Sequence, residues 1–395
     1  MLLSRFREQL QSSEWAERER VPRTAGLAIL QAIAVRVDSK VAPDASDIDM
    51  ARAVVDTLRH SATSRALGEL LRVIDADPPS PAGPALMEYG RTLEDDGAWE
   101  LAADVYQLAA ELGRREQALK LAPAALVRVG LCLRSLGRYR EAAKAYRAAR
   151  AVAQEIGDRV EELLARIGLA KVAIAQDKYP AARTQLSQVI EDAREHDLRY
   201  PLALALHDRG TLANREGDLE HALLDLGESL AIHRDRIPQI RVLSDLGWTL
   251  RELGLLDIAR DVLTCVRQES PQVDLRCSAA INLLQVAADR RQWDEFDHLQ
   301  ADLEATNLSP YRRCEFLVTL AEGLTAKRRP SDARAAYQTL RDTALLYELN
   351  EFERLAQRAL DGEDVSRSTP PEALPLPPRC RPALEVIRER VPARG

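Results

Sequence analysis

Small apolar, large apolar and charged positions alternate along most of this chain at fixed distances rather than at random. The stretch from Val129 to Ala149, VGLCLRSLGRYREAAKAYRAA, carries the pattern most clearly. Counting from Gly130, a second glycine falls at +7 (Gly137), alanine at +12 (Ala142), an aromatic at +16 (Tyr146) and alanine at +19 (Ala149). The same offsets follow Gly90, as Gly97, Ala102, Tyr106 and Ala109. Anchors then recur at Gly90, Gly130, Ala170 and Gly210, spaced by 40, and at Gly247, Leu284 and Ala321, spaced by 37. A fixed period of this length predicts a chain of repeated helix hairpins.

Each offset has a physical reason. The +12 position reads Ala102, Ala142, Ala182, Ala222, Ala259, Phe296 and Ala333, so two helices can approach closely where it meets the small anchor. The +7 glycine (Gly97, Gly137, Gly217, Gly254) stands where the first helix ends and accepts the left-handed conformation. The +16 residue (Tyr106, Tyr146, Leu186, Leu226, Leu263, Tyr337) is large and fills the gap between hairpins. Pro84, Pro123, Pro201, Pro238, Pro271 and Pro310 fall near the junctions and mark helix starts. The sixth copy is the weakest, with Leu284 at the anchor, Arg291 at +7 and Phe296 at +12.

This pattern resembles the tetratricopeptide repeat, whose unit carries L-G, then Y, then A-x3-F. The resemblance implies an all-α, right-handed superhelical solenoid of about seven antiparallel hairpins. The periods exceed the family's usual length of about 34, and repeats of the HEAT type are the alternative, but the internal offsets favour the tetratricopeptide reading.

Around the repeats the pattern changes. Residues 1–82 lack the offsets and form an N-terminal helical cap region. There Leu27, Leu30, Ala34 and Val37 make a helical stripe, Ser46 or Asp47 caps a further helix, and another spans Ser64 to Ile74 before the break DPPSPAGP. The solenoid is expected over 83–343 and a capping helix over 344–360, with Leu345, Leu349, Phe352, Leu355 and Ala359 on one face. A Pro-rich linker and a short terminal helix fill 361–395; Leu384, Ile387 and Val391 give that helix a stripe that suits either the solenoid, a partner or solvent.

Composition sharpens this picture. A chain of 395 residues is too long for one ordinary core, and 4% aromatics beside 30% charged residues favour many thin Leu, Ala and Val interfaces. A net charge of −7 points away from nucleic acid. Cys132, Cys265, Cys277, Cys314 and Cys380 have neither disulfide nor zinc spacing and read as reduced thiols. Without a signal peptide or membrane span in its pattern, the chain is expected to be cytoplasmic. Asp44, Asp47 and Asp49 lack the glycine and distal glutamate of a calcium loop, the six histidines are scattered, and no phosphate, dinucleotide, zinc or nucleophile motif is present. No catalytic residue, cofactor or metal is therefore expected, and the protein is read as noncatalytic.

What the resemblance implies for function is a groove lined by the first helix of each hairpin, at −6, −3, +1, +4 and +5 from the anchor. Carried over, these offsets give Arg91, Glu94, Asp95, Arg134 and Lys171 in the first three repeats. They give His207, Thr211, Asn214 and Arg215 in the fourth, and Arg241, Ser244, Trp248, Arg251 and Glu252 in the fifth. Gln285, Asp289, Glu315 and Glu322 follow. The partner-binding candidates are Arg91, Arg134, Lys171, His207, Asn214, Arg215, Arg241, Trp248 and Arg251. Basic residues in repeats two to five suit an acidic or carboxylate-ended segment, and Trp248 is either a groove anchor or packed against the next hairpin. The Lys and Asn of the family's carboxylate-clamp members are replaced by Met87 and Arg91, or Val127 and Leu131, so chaperone-tail recognition is not supported. Glu94, Asp95 and Asp96 crowd a helix C-terminus, where negative charge is disfavoured; a basic patch on a partner or on the N-terminal region would relieve it. A protein-interaction scaffold is the first expectation, and a peptide- or signal-sensing regulator that closes around its ligand is the alternative.

Overall fold

A computed structural model describes residues 3–11, 17–35, 45–58, 61–76, 81–115, 118, 120–363, 365 and 375–391. The calcium question at Asp44, the start of the DPPSPAGP break and most of the Pro-rich linker lie outside these residues. Of the described residues 84% are helical, in 20 α-helices and a 3-10 turn, and the chain forms two compact units, Met1–Pro201 and Leu202–Gly395.

In the first unit four helices, α1 (Ser4–Gln11), α2 (Glu17–Ala34), α3 (Ala45–Thr57) and α4 (Ala62–Asp75), precede the repeats. Ser61 caps α4 by accepting the Ser64 N–H. Three hairpins follow: α5 (Gly83–Asp95) with α6 (Trp99–Arg115), α7 (Leu121–Ser135) with α8 (Tyr139–Glu155), and α9 (Arg159–Ile174) with α10 (Tyr179–Glu195). The unit boundary falls inside α11 (Arg199–Arg215). The second unit continues with α12 (Leu219–Ile232), α13 (Arg236–Glu252), α14 (Leu256–Glu269), α15 (Val273–Asp289), α16 (Trp293–Ala305), α17 (Pro310–Ala326) and α18 (Pro330–Leu346). It ends with α19 (Asn350–Leu360), a single turn of 3-10 helix and α20 (Arg381–Arg390). Within each unit most helices pack on a neighbour in sequence, as α5 on α6, α7 on α8 and α17 on α18, and first helices of adjacent hairpins also touch, as α7 on α9 and α13 on α15.

The repeat offsets correspond to one interlock. A Cβ added to Gly130 would stand 2.7 Å from the Tyr146 ring, and one added to Gly168 in the next hairpin would also strike that ring. Tyr146 is thus clasped between two Cβ-free positions, one in its own hairpin and one in the following one. Tyr106 sits on Gly90, Leu226 on Gly210 and Leu263 on Gly247 in the same way. The small anchor therefore receives the large +16 side chain, while the +12 alanines are buried beside it. The weak sixth copy solves the same problem differently: its bulky Phe296 is fully buried and takes its space from Gly323 in α17.

The left-handed turn at +7 persists where glycine does not. Gly97, Gly137, Gly217 and Gly254 have φ of 71° to 78°, and Asp177, Arg291 and Arg328 hold φ of 58°, 56° and 60° at the equivalent positions. A side chain there costs roughly 1–2 kcal/mol.

The terminal helices are integral to their units. Phe6 of α1 is fully buried, and its backbone N–H donates to the buried Asp104 carboxylate of α6 at 3.0 Å. In the second unit α20 lies on α12: Ala383 rests where a Cβ at Gly227 would come within 2.5 Å, and Arg379 pairs with Glu220. Cys380, Ala383, Ile387 and Val391 join that unit's core, so of the three settings open to the terminal stripe, the solenoid is the one it takes.

Three predictions follow from these contacts. Replacing the clasped ring by Tyr146→Ala should cost about 3–5 kcal/mol in denaturant unfolding. Arg291→Gly should instead stabilise by roughly 0.5–1 kcal/mol, the relieved left-handed strain being partly offset by glycine's freer unfolded chain. The third concerns Glu161 in α9, whose carboxyl is lifted to about 7 by burial and then by the nearby Asp158 charge, with Oε2 unpartnered among the described residues. An acid whose pKa rises on folding contributes stability below its unfolded value of about 4.3, and that contribution is lost as pH climbs through 7. Glu161→Gln should flatten the melting-temperature profile over that window.

Candidate functional site

The second unit holds a cavity of about 470 Å³ on the side formed by the first helices of its hairpins. Its wall is built by the repeat itself. Moving along the chain by 37 residues, one row reads Ser244, Ile281, Val318 and Leu355, a second Asp245, Asn282 and Thr319, and a third Trp248, Gln285 and Glu322. Ser278, Glu315 and Phe352 form a fourth, and Arg251 and Val365 complete the lining. Four successive helices, α13, α15, α17 and α19, thus each present equivalent positions, because hairpins of one length stack their helices in register.

The electrostatics differ from the sequence expectation. Arg251 lines the cavity, yet its side chain is only 6% exposed, and its guanidinium donates to Asp289 at 2.6 Å and to Glu252 at 2.6 Å. Asp289 is itself buried, so the pair is closed and offers no cation to a ligand. Asp245 accepts from His207 Nε2 at 2.7 Å, a contact joining α11 to α13. Asn214 donates to Thr249 at 2.9 Å. Glu315 is held by Arg312 at 2.5 Å, and Arg312 also grips Asp274 at 2.7 Å. Asp245, Glu315 and Glu322 also line the wall, with Asp245 engaged by His207 and Glu315 by Arg312, as Arg251 is by its acids.

The nine sequence candidates therefore separate. Trp248 and Arg251 line the cavity; His207 and Asn214 brace α11 against α13; Arg215 and Arg241 are exposed and do not line it. Arg91, Arg134 and Lys171 belong to the first unit, where Arg91 is exposed and paired with Glu88 at 3.0 Å, while Arg134 and Lys171 are half-buried. The crowded acids at the end of α5 are relieved within the chain: Arg128 pairs with Glu94, and Arg23 of α2 acts on Asp96. Burial still leaves the Glu94 carboxyl raised above its ordinary range.

Sequence reasoning missed the row at −2 from the anchor and the contribution of α19. The signal for the latter was present, because Phe352 and Leu355 continue the 37-residue spacing of Glu315 and Val318. Among the described residues no group of three or more His, Cys, Asp or Glu could hold a metal ion, and no helix is long and apolar enough to cross a membrane.

Comparison with known proteins agrees with this construction. Residues 121–195 match the tetratricopeptide repeat family, so the repeats in that stretch are of this kind, and the hairpin fold is the one such proteins share. Among solved structures, the apo form of the quorum sensor NprR from B. thuringiensis is similar, with a TM-score of 0.52 and 14% identity over 85% of this chain and 91% of that one. The apo form of RapI (TM-score 0.49, 12% identity, 91% of this chain and 99% of that chain) is more distant, and its likeness carries no weight of its own. The same holds for a tetratricopeptide repeat protein from Parabacteroides merdae ATCC 43184 (TM-score 0.44, 16% identity, 70% of this chain and 100% of that chain). No curated protein matches the sequence.

Proposed function

We propose that this protein is a noncatalytic interaction scaffold that holds a peptide or an extended protein segment in the groove of its second unit. The observation that carries the reading is the run of equivalent positions around the 470 Å³ cavity, where Trp248, Phe352, Leu355 and Val365 supply apolar contact and Asn282 and Gln285 supply amides. A tryptophan beside paired amides suits a segment bound through its backbone and one anchoring side chain.

An acidic or carboxylate-ended partner rested on groove cations. With Arg251 closed by Asp289 and Glu252, that preference loses its main support. The second reading, a sensing regulator, draws on Val365: it lies on the cavity wall in the same tail whose end rests on α12, so a ligand reaching Val365 would touch a segment tied to the start of the unit. The likeness of the fold to that of a quorum sensor is compatible with this reading.

A library of short peptides screened against the full chain tests both. Trp248→Ala should weaken the selected peptides by about 2 kcal/mol or more without lowering the unfolding midpoint, as expected for a groove anchor. Undiminished binding by this variant would remove the groove reading. Arg251→Ala should behave in the opposite sense, destabilising the fold by about 3–5 kcal/mol because it leaves Asp289 buried and unpaired. A change in radius of gyration when the selected peptide binds would favour the sensor over the scaffold.

A further inference from the structure

The outer faces of the second helices of the hairpins are where this chain seats its own terminal helices. On α6 that face is made by Glu100, Asp104 and Gln107, and α1 covers it: Gln9 donates to Glu100 at 2.5 Å, the Phe6 N–H donates to Asp104, and Arg5 stands 3.8 Å from the same carboxylate. On α12, 120 positions later in the sequence, the same face is made by Glu220, Leu224 and Gly227, and it carries the α20 end of the chain through Arg379 and Ala383. Two terminal helices of unrelated sequence thus use the same face, each with an arginine or amide on the leading glutamate.

Forty positions after the α6 set, the equivalent face of α8 reads Arg140, Lys144 and Arg147. At 3.6 residues per turn these three stand opposite the buried Ala142, Tyr146, Ala149 and Ala153, and all three are exposed. Among the described residues none makes a hydrogen bond or ion pair, and Lys144 acts only as one of the weaker charges on Glu141. Glu141 itself is engaged by Arg138 at 2.6 Å and lies 3.5 Å from Arg5. In a chain of net charge −7 this is a cationic seat with inverted sign, and among the described residues no helix is shown packed on it. Ala151 continues the same face and Ala148 flanks it, leaving room for close approach.

We propose that the outer face of α8 seats an acidic amphipathic helix of a partner protein, in the way α6 seats α1. The charge inversion selects against the chain's own basic α1 and for carboxylates at matching i, i+4 and i+7 positions. This surface is separate from the groove of the second unit and does not depend on it.

The test is fluorescence anisotropy of a synthetic amphipathic helix of about 15 residues, long enough to fold on contact, with Glu at i, i+4 and i+7, titrated with the full chain. Wild-type protein should bind with an affinity that falls steeply with salt, as exposed charges require. The R140E/K144E/R147E variant should weaken binding at least about tenfold, Lys144→Gln should give an intermediate loss, and Trp248→Ala should change nothing. Equal helix content by circular dichroism guards against misfolding. The proposal is overturned if the triple variant binds as the wild type does, if Trp248→Ala abolishes binding, or if single-stranded RNA or phosphatidylserine vesicles are bound more tightly than the helix.

Discussion

The fold depends on one steric fit: a large side chain of the second helix seated on a backbone position that has no Cβ. Tyr146 between Gly130 and Gly168 is the fullest instance, since one ring locks two consecutive hairpins. Burying an aromatic of this size contributes several kcal/mol, yet the fit also fixes register, because a shift of one residue would place a Cβ against the ring. Where the sequence abandons the pattern, the constraint survives by exchange of roles, with Phe296 moved to the alanine position and Gly323 supplying the hollow. One ring that serves two layers, as Tyr146 does, reduces the need for further aromatics.

The positions of Gly130 and Tyr146 were legible because they lie sixteen residues apart, and short-range spacing is what a single chain displays; that the anchor meets the +16 side chain rather than the +12 alanine, and that Gly168 completes the clasp, was not. Gly97, Gly137, Gly217 and Gly254 could be assigned to left-handed turns for the same reason. That Asp177, Arg291 and Arg328 adopt the same turn was not legible, since the residues themselves disfavour it and the hairpin geometry imposes it.

Charge was read less well than shape. Arg251 stands at a groove offset, and a sign count along the groove makes it a ligand for an acidic partner. Its partner, Asp289, lies 38 positions ahead, one repeat further on, so the cation is answered by the next layer rather than by a ligand. The same span links His207 to Asp245 and Arg312 to Asp274. In a stacked repeat protein the first question about any groove charge is what stands one period away, and here that question removes much of the expected basic wall. Nor could composition reveal that Leu384, Ile387 and Val391 join the core of their own unit, because nothing local distinguishes a stripe covered by its own chain from one covered by a partner.

The seating of α20 on α12 changes how the second unit must come apart. Stacked repeats ordinarily fray from either end, each layer held only by its neighbours. Here Arg379 and Glu220 are 159 residues apart in the chain, and their contact joins the turn that leads into the last helix to an early helix of the unit. The unit is a closed circuit instead of an open stack. Closing so long a loop slows folding, but it denies the terminal layers an independent route to unfolding, so amide exchange across α12 to α20 is bound to a common, whole-unit opening.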